Sequence, residues 1–131
     1  MSTLQVGTIK SASSAAPVFQ NSSGTEKGQL AKVWCSFNGN GTIAIKDSFN
    51  TSSLTDNGSG AYTVNFTNAM SNANYCCIVG AGNNELGSKG AWNAIYDDTT
   101  TVAGSVRLAL YTTTGSSEDN EQVFMVIYGA N

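Results

Sequence analysis

The sequence predicts an all-β protein: an antiparallel β-sandwich, or a small barrel, of about eight strands with an extended N-terminal arm. Apolar and polar residues alternate in short runs, which is the pattern of half-buried strands. Clusters of Gly, Asn and Ser end these runs at intervals of roughly 8–12 residues, as turns between strands do. No stretch of a dozen residues repeats its apolar positions with the helical period of about 3.6 residues.

Residues 1–30 form the predicted arm, a segment with two small apolar groups separated by a run rich in Ser and Ala. So few apolar side chains cannot bury enough surface to order the segment alone. We therefore expect the arm to lie against the rest of the protein or against a neighbouring molecule. Its predicted attachment residues are Leu4, Val6, Ile9, Val18 and Phe19.

Residues 31–131 form the predicted sandwich domain, which begins with a hairpin. Alternate apolar residues from Val33 to Phe37 share one face, and the Asn-Gly-Asn-Gly turn over 38–41 leads into a strand over 42–46. A third run covers 48–54.

The remaining strands are indicated by two kinds of pattern. Clear alternation over 62–66 and 106–111 is typical of half-buried strands, whose polar side should face water. A continuous apolar run over 75–79 predicts a central strand, and 122–128 predicts a fully apolar closing strand. A shorter candidate covers 92–96.

The charge content argues against nucleic-acid and membrane partners. Only 11% of residues are charged, the net charge is −3, and the Lys and Arg residues, 6 in total, are scattered along the chain. No basic stripe is therefore present to neutralise several phosphates. Neither a secretory signal nor an apolar run of membrane-spanning length is found, so we expect a protein made in a cytoplasm.

The ionisable residues argue against an enzyme. The chain has no His, which excludes Ser-His and Cys-His nucleophilic schemes, and its carboxylates sit in or beside turns. The segments 80–85 and 82–89 resemble dinucleotide and phosphate loops but lack the required glycine or residue order, so neither predicts a cofactor. We expect no catalytic residues, with a small polysaccharide-cleaving enzyme as a distant alternative.

No metal site is predicted either. The three cysteines, Cys35, Cys76 and Cys77, are interpreted as buried small hydrophobic residues. A disulfide between the adjacent Cys76 and Cys77 is the alternative, and a metal site is disfavoured because no second Cys pair or His lies at ligand spacing. The acidic segments 97–99 and 118–121 lack the spacing of a loop that wraps Ca²⁺, and solvated acidic loops are the favoured interpretation.

Aromatic residues raise the question of sugar binding, since flat rings stack on sugars. Most of them occupy alternating strand positions, where burial is the usual outcome. The candidate glycan or receptor contacts are Trp92, Asn93 and Tyr96, which follow a Gly- and Asn-rich loop.

A motif over 32–75, about a third of the chain, resembles a module of tail fibre proteins of tailed phages, above all those infecting cyanobacteria. The opening MSTLQVGTIKSAS is similar to the starts of many such virion proteins, and the ending resembles the family's closing strand pair more loosely. The residues that carry the main resemblance are Lys32, Trp34, Phe37, Asp47, Phe49, Asp56, Tyr62, Phe66, Met70 and Tyr75.

This resemblance implies a non-enzymatic structural protein on the surface of a phage particle, made in the host cytoplasm. It implies a short tail fibre or fibre-tip type protein that is docked by its N-terminal arm on other virion proteins and forms a homo-oligomer, with a trimer favoured. A capsid head decoration (knob or cement) protein is the alternative. A lectin-like module that binds a host surface glycan or receptor is the alternative from another class.

Overall fold

The structure is a computed structural model, and it describes residues 3, 5–10, 17–82, 92–95 (backbone), 101–112 and 114–129. These residues contain ten strands and no helix. The chain divides into two compact units, Met1–Leu30 and Ala31–Asn131. All of the described strand pairs are antiparallel, and the described strands do not close into a barrel. The sandwich-like all-β fold predicted from the sequence is confirmed, and the small-barrel alternative is not.

The first unit contains a short hairpin of β1 (Phe19–Gln20) and β2 (Glu26–Gly28). Asn21 holds the turn between them, because its Oδ1 accepts the backbone N–H groups of Ser23 at 3.1 Å and Thr25 at 2.8 Å. An Asn side chain that bonds nearby backbone groups in this way is a strong turn former. The hairpin is local structure that the apolar pattern of this segment does not indicate.

The second unit consists of two four-stranded sheets. Its eight strands are β3 (Val33–Asn38), β4 (Ala44–Phe49), β5 (Thr51–Asp56), β6 (Ala61–Phe66), β7 (Tyr75–Gly82), β8 (Trp92–Ile95), β9 (Ser105–Tyr111) and β10 (Gln122–Gly129). The first sheet has the order β4-β3-β10-β7, and the second sheet has the order β5-β6-β9-β8.

The core lies between the two sheets and is built from alternate residues of their central strands. Burying each of these side chains stabilises the fold by about 1.5–3 kcal/mol. The alternation predicted for β3, β6 and β9 is confirmed, since the same-face residues of each strand are buried. The buried core residues are Val33, Cys35, Phe37, Tyr62, Val64, Phe66, Val106, Leu108, Leu110, Val123, Met125 and Ile127.

Asn50 marks the corner where the chain passes from the first sheet to the second. Its φ of 55° lies in the left-handed region, which Asn tolerates better than most residues. The Nδ2 group donates to the carbonyl oxygens of Lys32 at 3.2 Å and Asn68 at 3.1 Å, while Oδ1 accepts the Asn68 backbone N–H at 2.8 Å. The single strand predicted over 48–54 is therefore wrong, because this corner divides it between β4 and β5.

The position of β7 also differs from the prediction. The apolar run over 75–79 was expected in a central strand, yet β7 is an edge strand of the first sheet and pairs with β10 alone among the described strands. Strand β10, the last of the described strands, takes a central place between β3 and β7. A continuous apolar run reports that both sides of a strand are apolar, and this can hold at an edge as well as in the centre.

Candidate functional site

The outward side of the first sheet carries a continuous apolar surface, which we call the outer apolar face. Strand register places Phe49, Trp34, Val126 and Ile78 in one row across all four strands. Phe49 is 54% exposed and Ile78 is 56% exposed, so both edges of the row are open to solvent. The face comprises Trp34, Phe49, Cys76, Ile78, Phe124, Val126 and Tyr128.

Strands β7 and β10 contribute most of this surface, because in each strand the side chains that point inward and those that point outward are both largely apolar. In β10 the inward residues are buried, whereas Phe124 is 53% exposed and Tyr128 is 39% exposed on the other side. Phe124 pairs with Gly80 of β7, where an added Cβ would overlap the Phe124 ring. Glycine therefore allows the aromatic ring to lie over the neighbouring strand.

The row beside the first one contains two polar residues, Asp47 and Ser36. It runs from Asp47 through Ser36 and Phe124 to Gly80. Across the two rows Asp47 is the one charged residue, and it lies at the β4 edge. The centre of the outer apolar face therefore carries no charge.

On the second sheet, the outward side of β5 and β6 has the opposite character. Asn65 Nδ2 donates to Ser53 Oγ at 3.1 Å and to Thr55 Oγ1 at 3.2 Å, which links polar side chains across β5 and β6. In the turn after β5, Asn57 Nδ2 donates to Thr63 Oγ1 at 2.9 Å. These side chains suit contact with water, so this part of the second sheet differs chemically from the outer apolar face.

The first unit also exposes apolar side chains, and four of them are predicted attachment residues. Val6 is 51% exposed, Ile9 62%, Val18 59% and Phe19 45%. Their role in attachment stays a prediction. The fifth, Leu4, lies outside the described residues.

A buried polar network closes one end of the sandwich around Tyr62. The ring is fully buried and packs edge-on against Phe37, with centroids 5.3 Å apart. Its hydroxyl lies 2.6 Å from the Gly39 carbonyl oxygen and 2.7 Å from Asp119 Oδ1, which also accepts the Gly60 N–H at 2.7 Å. Burial, and secondly the bond to Asp119, raise the pKa of Tyr62, so the hydroxyl remains a donor that ties three loops together.

The loop over 118–121 is thus more ordered than the sequence suggests. Asn120 is 5% exposed, and its carbonyl oxygen accepts the Gly39 N–H at 2.8 Å. The prediction of a solvated acidic loop is wrong for Asn120, which is buried, whereas Asp119 is partly exposed. No local pattern points to this network, because Tyr62 and Asp119 are 57 positions apart.

An open polar pocket of about 340 Å³ lies near the same end, lined by Asn38, Asn40, Lys46 and Glu121. Lys46 Nζ donates to the Glu121 carbonyl oxygen at 2.6 Å. Asn38 Nδ2 donates to the Asn40 carbonyl oxygen at 2.8 Å. Amide, ammonium and carboxylate groups at one opening can hydrogen-bond a small polar ligand. The sequence does not indicate this pocket, since three of its residues belong to the β3–β4 hairpin and Glu121, just before β10, lies far along the chain.

The candidate glycan contacts are only partly placed. Trp92 and Asn93 lie in β8, where their backbones pair with Tyr111 and Leu110 of β9. Tyr96 and the side chains of the other two lie outside the described residues. Their contact with a glycan stays a prediction.

The three cysteines are free and differ in exposure: Cys35 is buried, Cys77 is intermediate and Cys76 is exposed. The expectation that all three are buried is therefore wrong for Cys76. Burial raises the pKa of Cys35 to about 11 and that of Cys77 to about 12. Both thiols are therefore protonated at neutral pH, and a protonated thiol is a poor nucleophile.

The described part of the chain lacks two further kinds of feature. No group of three or more His, Cys, Asp or Glu side chains there is arranged to hold a metal ion. The same residues include no helix with the length and hydropathy needed to cross a bilayer. The surfaces that remain as candidates are the outer apolar face, the exposed apolar side chains of the first unit and the polar pocket. No protein-family model matches the chain, and neither curated proteins nor solved structures gave a match.

Proposed function

We propose that this chain is a non-enzymatic structural protein of a tailed-phage particle, made in the host cytoplasm and exposed on the virion surface. The type we favour is a short tail fibre or fibre-tip protein. The outer apolar face is the observation that supports a role in assembly, because exposed apolar patches of this kind mark protein contacts. The resemblance of residues 32–75 to a tail fibre module supports the virion assignment.

The first unit supplies the means of attachment in this proposal. Val6, Ile9, Val18 and Phe19 expose apolar side chains that a neighbouring virion protein would cover. The sandwich unit then projects from the particle and assembles with further copies of itself, with a trimer favoured by the resemblance. Partners are therefore other proteins of the tail or of the capsid.

The experiment compares incorporation of full-length variants into particles of the phage that encodes the chain. Val18→Asp places a charge on the attachment unit, and Val102→Asp places the same charge on an apolar residue, 45% exposed, of the other unit. We expect the first variant to disappear from purified particles by quantitative mass spectrometry while the second remains. Equal incorporation of both variants would refute attachment through the first unit.

Electron cryomicroscopy of the intact particles tests the location. Density for the sandwich arranged around the tail supports the fibre assignment. Density repeated over the capsid shell supports the head decoration alternative instead. A particle that lacks the chain altogether refutes both.

A glycan-binding module is the second candidate, and the polar pocket is the observation that favours it. Its volume of about 340 Å³ is at the lower end of small-molecule sites, and its side chains can bond sugar hydroxyls. We expect binding on a host glycan array that Lys46→Ala weakens and Lys27→Ala, a change in the first unit, does not. Trp92→Ala tests the residues predicted from the sequence, and an array without signal dismisses this candidate.

A further inference from the structure

We propose that the outer apolar face is a self-association surface, covered by the same face of a second copy of this chain. The proposal rests on the assembly role proposed above and names the surface and the partner that carry it out. Its test uses the purified protein alone, so it can fail or succeed independently of any result with particles.

The first argument is the size of the exposed apolar area. Phe49, Ile78, Phe124 and Tyr128 are between 39% and 56% exposed. Side chains of this size carry about 150–250 Å² each, so these four leave roughly 400 Å² of apolar surface in water. A stable interface of standard size buries about 800 Å² on each partner. These side chains therefore supply the apolar half of such an interface, and the rest of the sheet supplies its rim.

The second argument is the composition of β10, a central strand. Every residue from Val123 to Tyr128 is apolar, and only one alternating set of them is buried in the core. A strand with both sets apolar is typical of one that is buried on both sides. Because β5 and β6 of the second sheet carry hydrogen-bonded polar side chains on their outward side instead, an apolar outward side is not shared by all the described strands.

The third argument is electrostatic and concerns the choice of a second copy as the partner. Identical faces that meet would repel each other if they carried like charges at their centre. A two-fold axis along the strands places β4 of one copy over β7 of the other. Phe49 then lies over Ile78 of the second copy, and Asp47 lies over Gly80 instead of another carboxylate. The face is therefore complementary to itself.

The experiment measures molecular mass against concentration by sedimentation equilibrium for the full-length protein. Ile78→Glu and Phe49→Glu place a carboxylate at opposite edges of the face, at positions exposed in the single chain. Val102→Glu is the matched control, an apolar residue with 45% exposure outside the face. Circular dichroism confirms that each variant retains its strand content.

We expect the unchanged protein and Val102→Glu to have twice the mass of one chain, which is 13.6 kDa. Each face variant should weaken self-association by roughly 30-fold or more, because it places a carboxylate against an apolar side chain of the second copy at two symmetric positions. A larger assembly built from pairs supports the proposal only if both face variants dissociate it, whereas a trimer overturns it, because three copies cannot each have this face covered by the same face of another copy. A monomer at all concentrations, or face variants that associate as well as the control, overturns it.

Cys76 provides a second readout, since it is exposed in the single chain and lies on the same face. Its labelling by a bulky maleimide should be at least ~10-fold slower in the assembled protein than in Ile78→Glu, because the second copy covers it. Peptide mass spectrometry separates this signal from Cys35 and Cys77. Equal labelling rates in assembled protein and variant would place the contact elsewhere and overturn the proposal.

Discussion

Removing one hydroxyl group, by Tyr62→Phe, should destabilise the sandwich although the ring keeps its place. The ring packs against Phe37 in the core, and Phe at position 62 can make the same edge-on contact. The change removes the group that lies 2.7 Å from Asp119 Oδ1 and 2.6 Å from the Gly39 carbonyl oxygen. One hydroxyl proton serves these two acceptors, so its loss affects both.

The magnitude follows from the kind of bond that is lost. A hydrogen bond to a charged group contributes about 1.5–3 kcal/mol, and an acceptor left buried without a donor adds to the cost. Because Asp119 is only partly buried and water can reach it, we take a loss of about 2 kcal/mol. For a unit of roughly 100 residues this corresponds to a decrease in Tm of roughly 8–15 °C.

Urea unfolding followed by circular dichroism gives the free energy of unfolding, and a thermal scan gives Tm. Tyr128→Phe is the matched control, because Tyr128 is 39% exposed and its change should cost less than about 0.5 kcal/mol. Asp119→Ala should remove the same hydrogen bond by removing its acceptor. The loss of unfolding free energy in the double variant should therefore be smaller than the sum of the losses in the two single variants. A Tyr62→Phe protein as stable as the control would refute the reasoning.

Three further predictions concern the backbone at Gly60, the backbone at Asn50, and the effect of pH on a buried thiol and a partly buried phenol group. Gly60→Ala should lower the free energy of unfolding by at least ~2 kcal/mol, because φ is +66° and the new Cβ would lie 2.5 Å from the Leu110 carbonyl oxygen. Gly104→Ala is the control and should be nearly neutral, because the added Cβ would meet open space. Asn50→Ala should lower the free energy of unfolding by about 1 kcal/mol more than Asn50→Gly, since Gly tolerates the φ of 55°. Equal losses in the two variants would show that Asn50 acts through its side-chain hydrogen bonds alone and not through its backbone conformation. Burial raises the pKa of Cys35 to about 11 and that of Tyr75 to about 12. Above the ordinary pKa values of these groups, the unfolded chain releases their protons while the folded protein still keeps them. The contribution of these two groups to the free energy of unfolding should therefore be constant below about pH 8 and fall as the pH rises above about 9. Undiminished stability in urea titrations near pH 11 would contradict this.

The strands were predictable wherever a local period decides the structure. Alternation from Val33 to Phe37 and from Val106 to Leu110 assigned the buried side of β3 and β9 correctly, because side chains of a strand point to opposite faces in turn. The turn over 38–41 was recognisable from its Asn and Gly residues alone. These features depend on neighbours within about ten residues, which a sequence pattern can report.

The pairing of distant strands was not predictable in the same way. Nothing near the run over 75–79 indicates that β7 is an edge strand, since its place depends on where β10 pairs, about 45 residues further on. The network of Tyr62 and Asp119 joins loops 57 positions apart for the same reason. Asn50 carries a weak local signal, as Asn often adopts positive φ, but its strand-like neighbours conceal the corner.

The outer apolar face was predictable in part. The apolar run over 122–128 indicated a strand without a polar side, and the structure shows that the second side of β10 stays uncovered within one chain. The sequence could not show that Phe49 and Ile78 extend this side to both edges of the sheet. That extension depends on the register of four strands, which no single segment encodes.

The central place of β10 has a consequence for how the protein is synthesised. Strands β3 and β7 leave the ribosome before their common neighbour exists, so the first sheet cannot be completed until residues 122–129 have emerged from the exit tunnel. The nascent chain must therefore hold two unpaired strand edges in solution while translation continues. Topologies of this kind fold in milliseconds to seconds, and a chain interrupted upstream of β10 would expose those edges to chaperones and proteases.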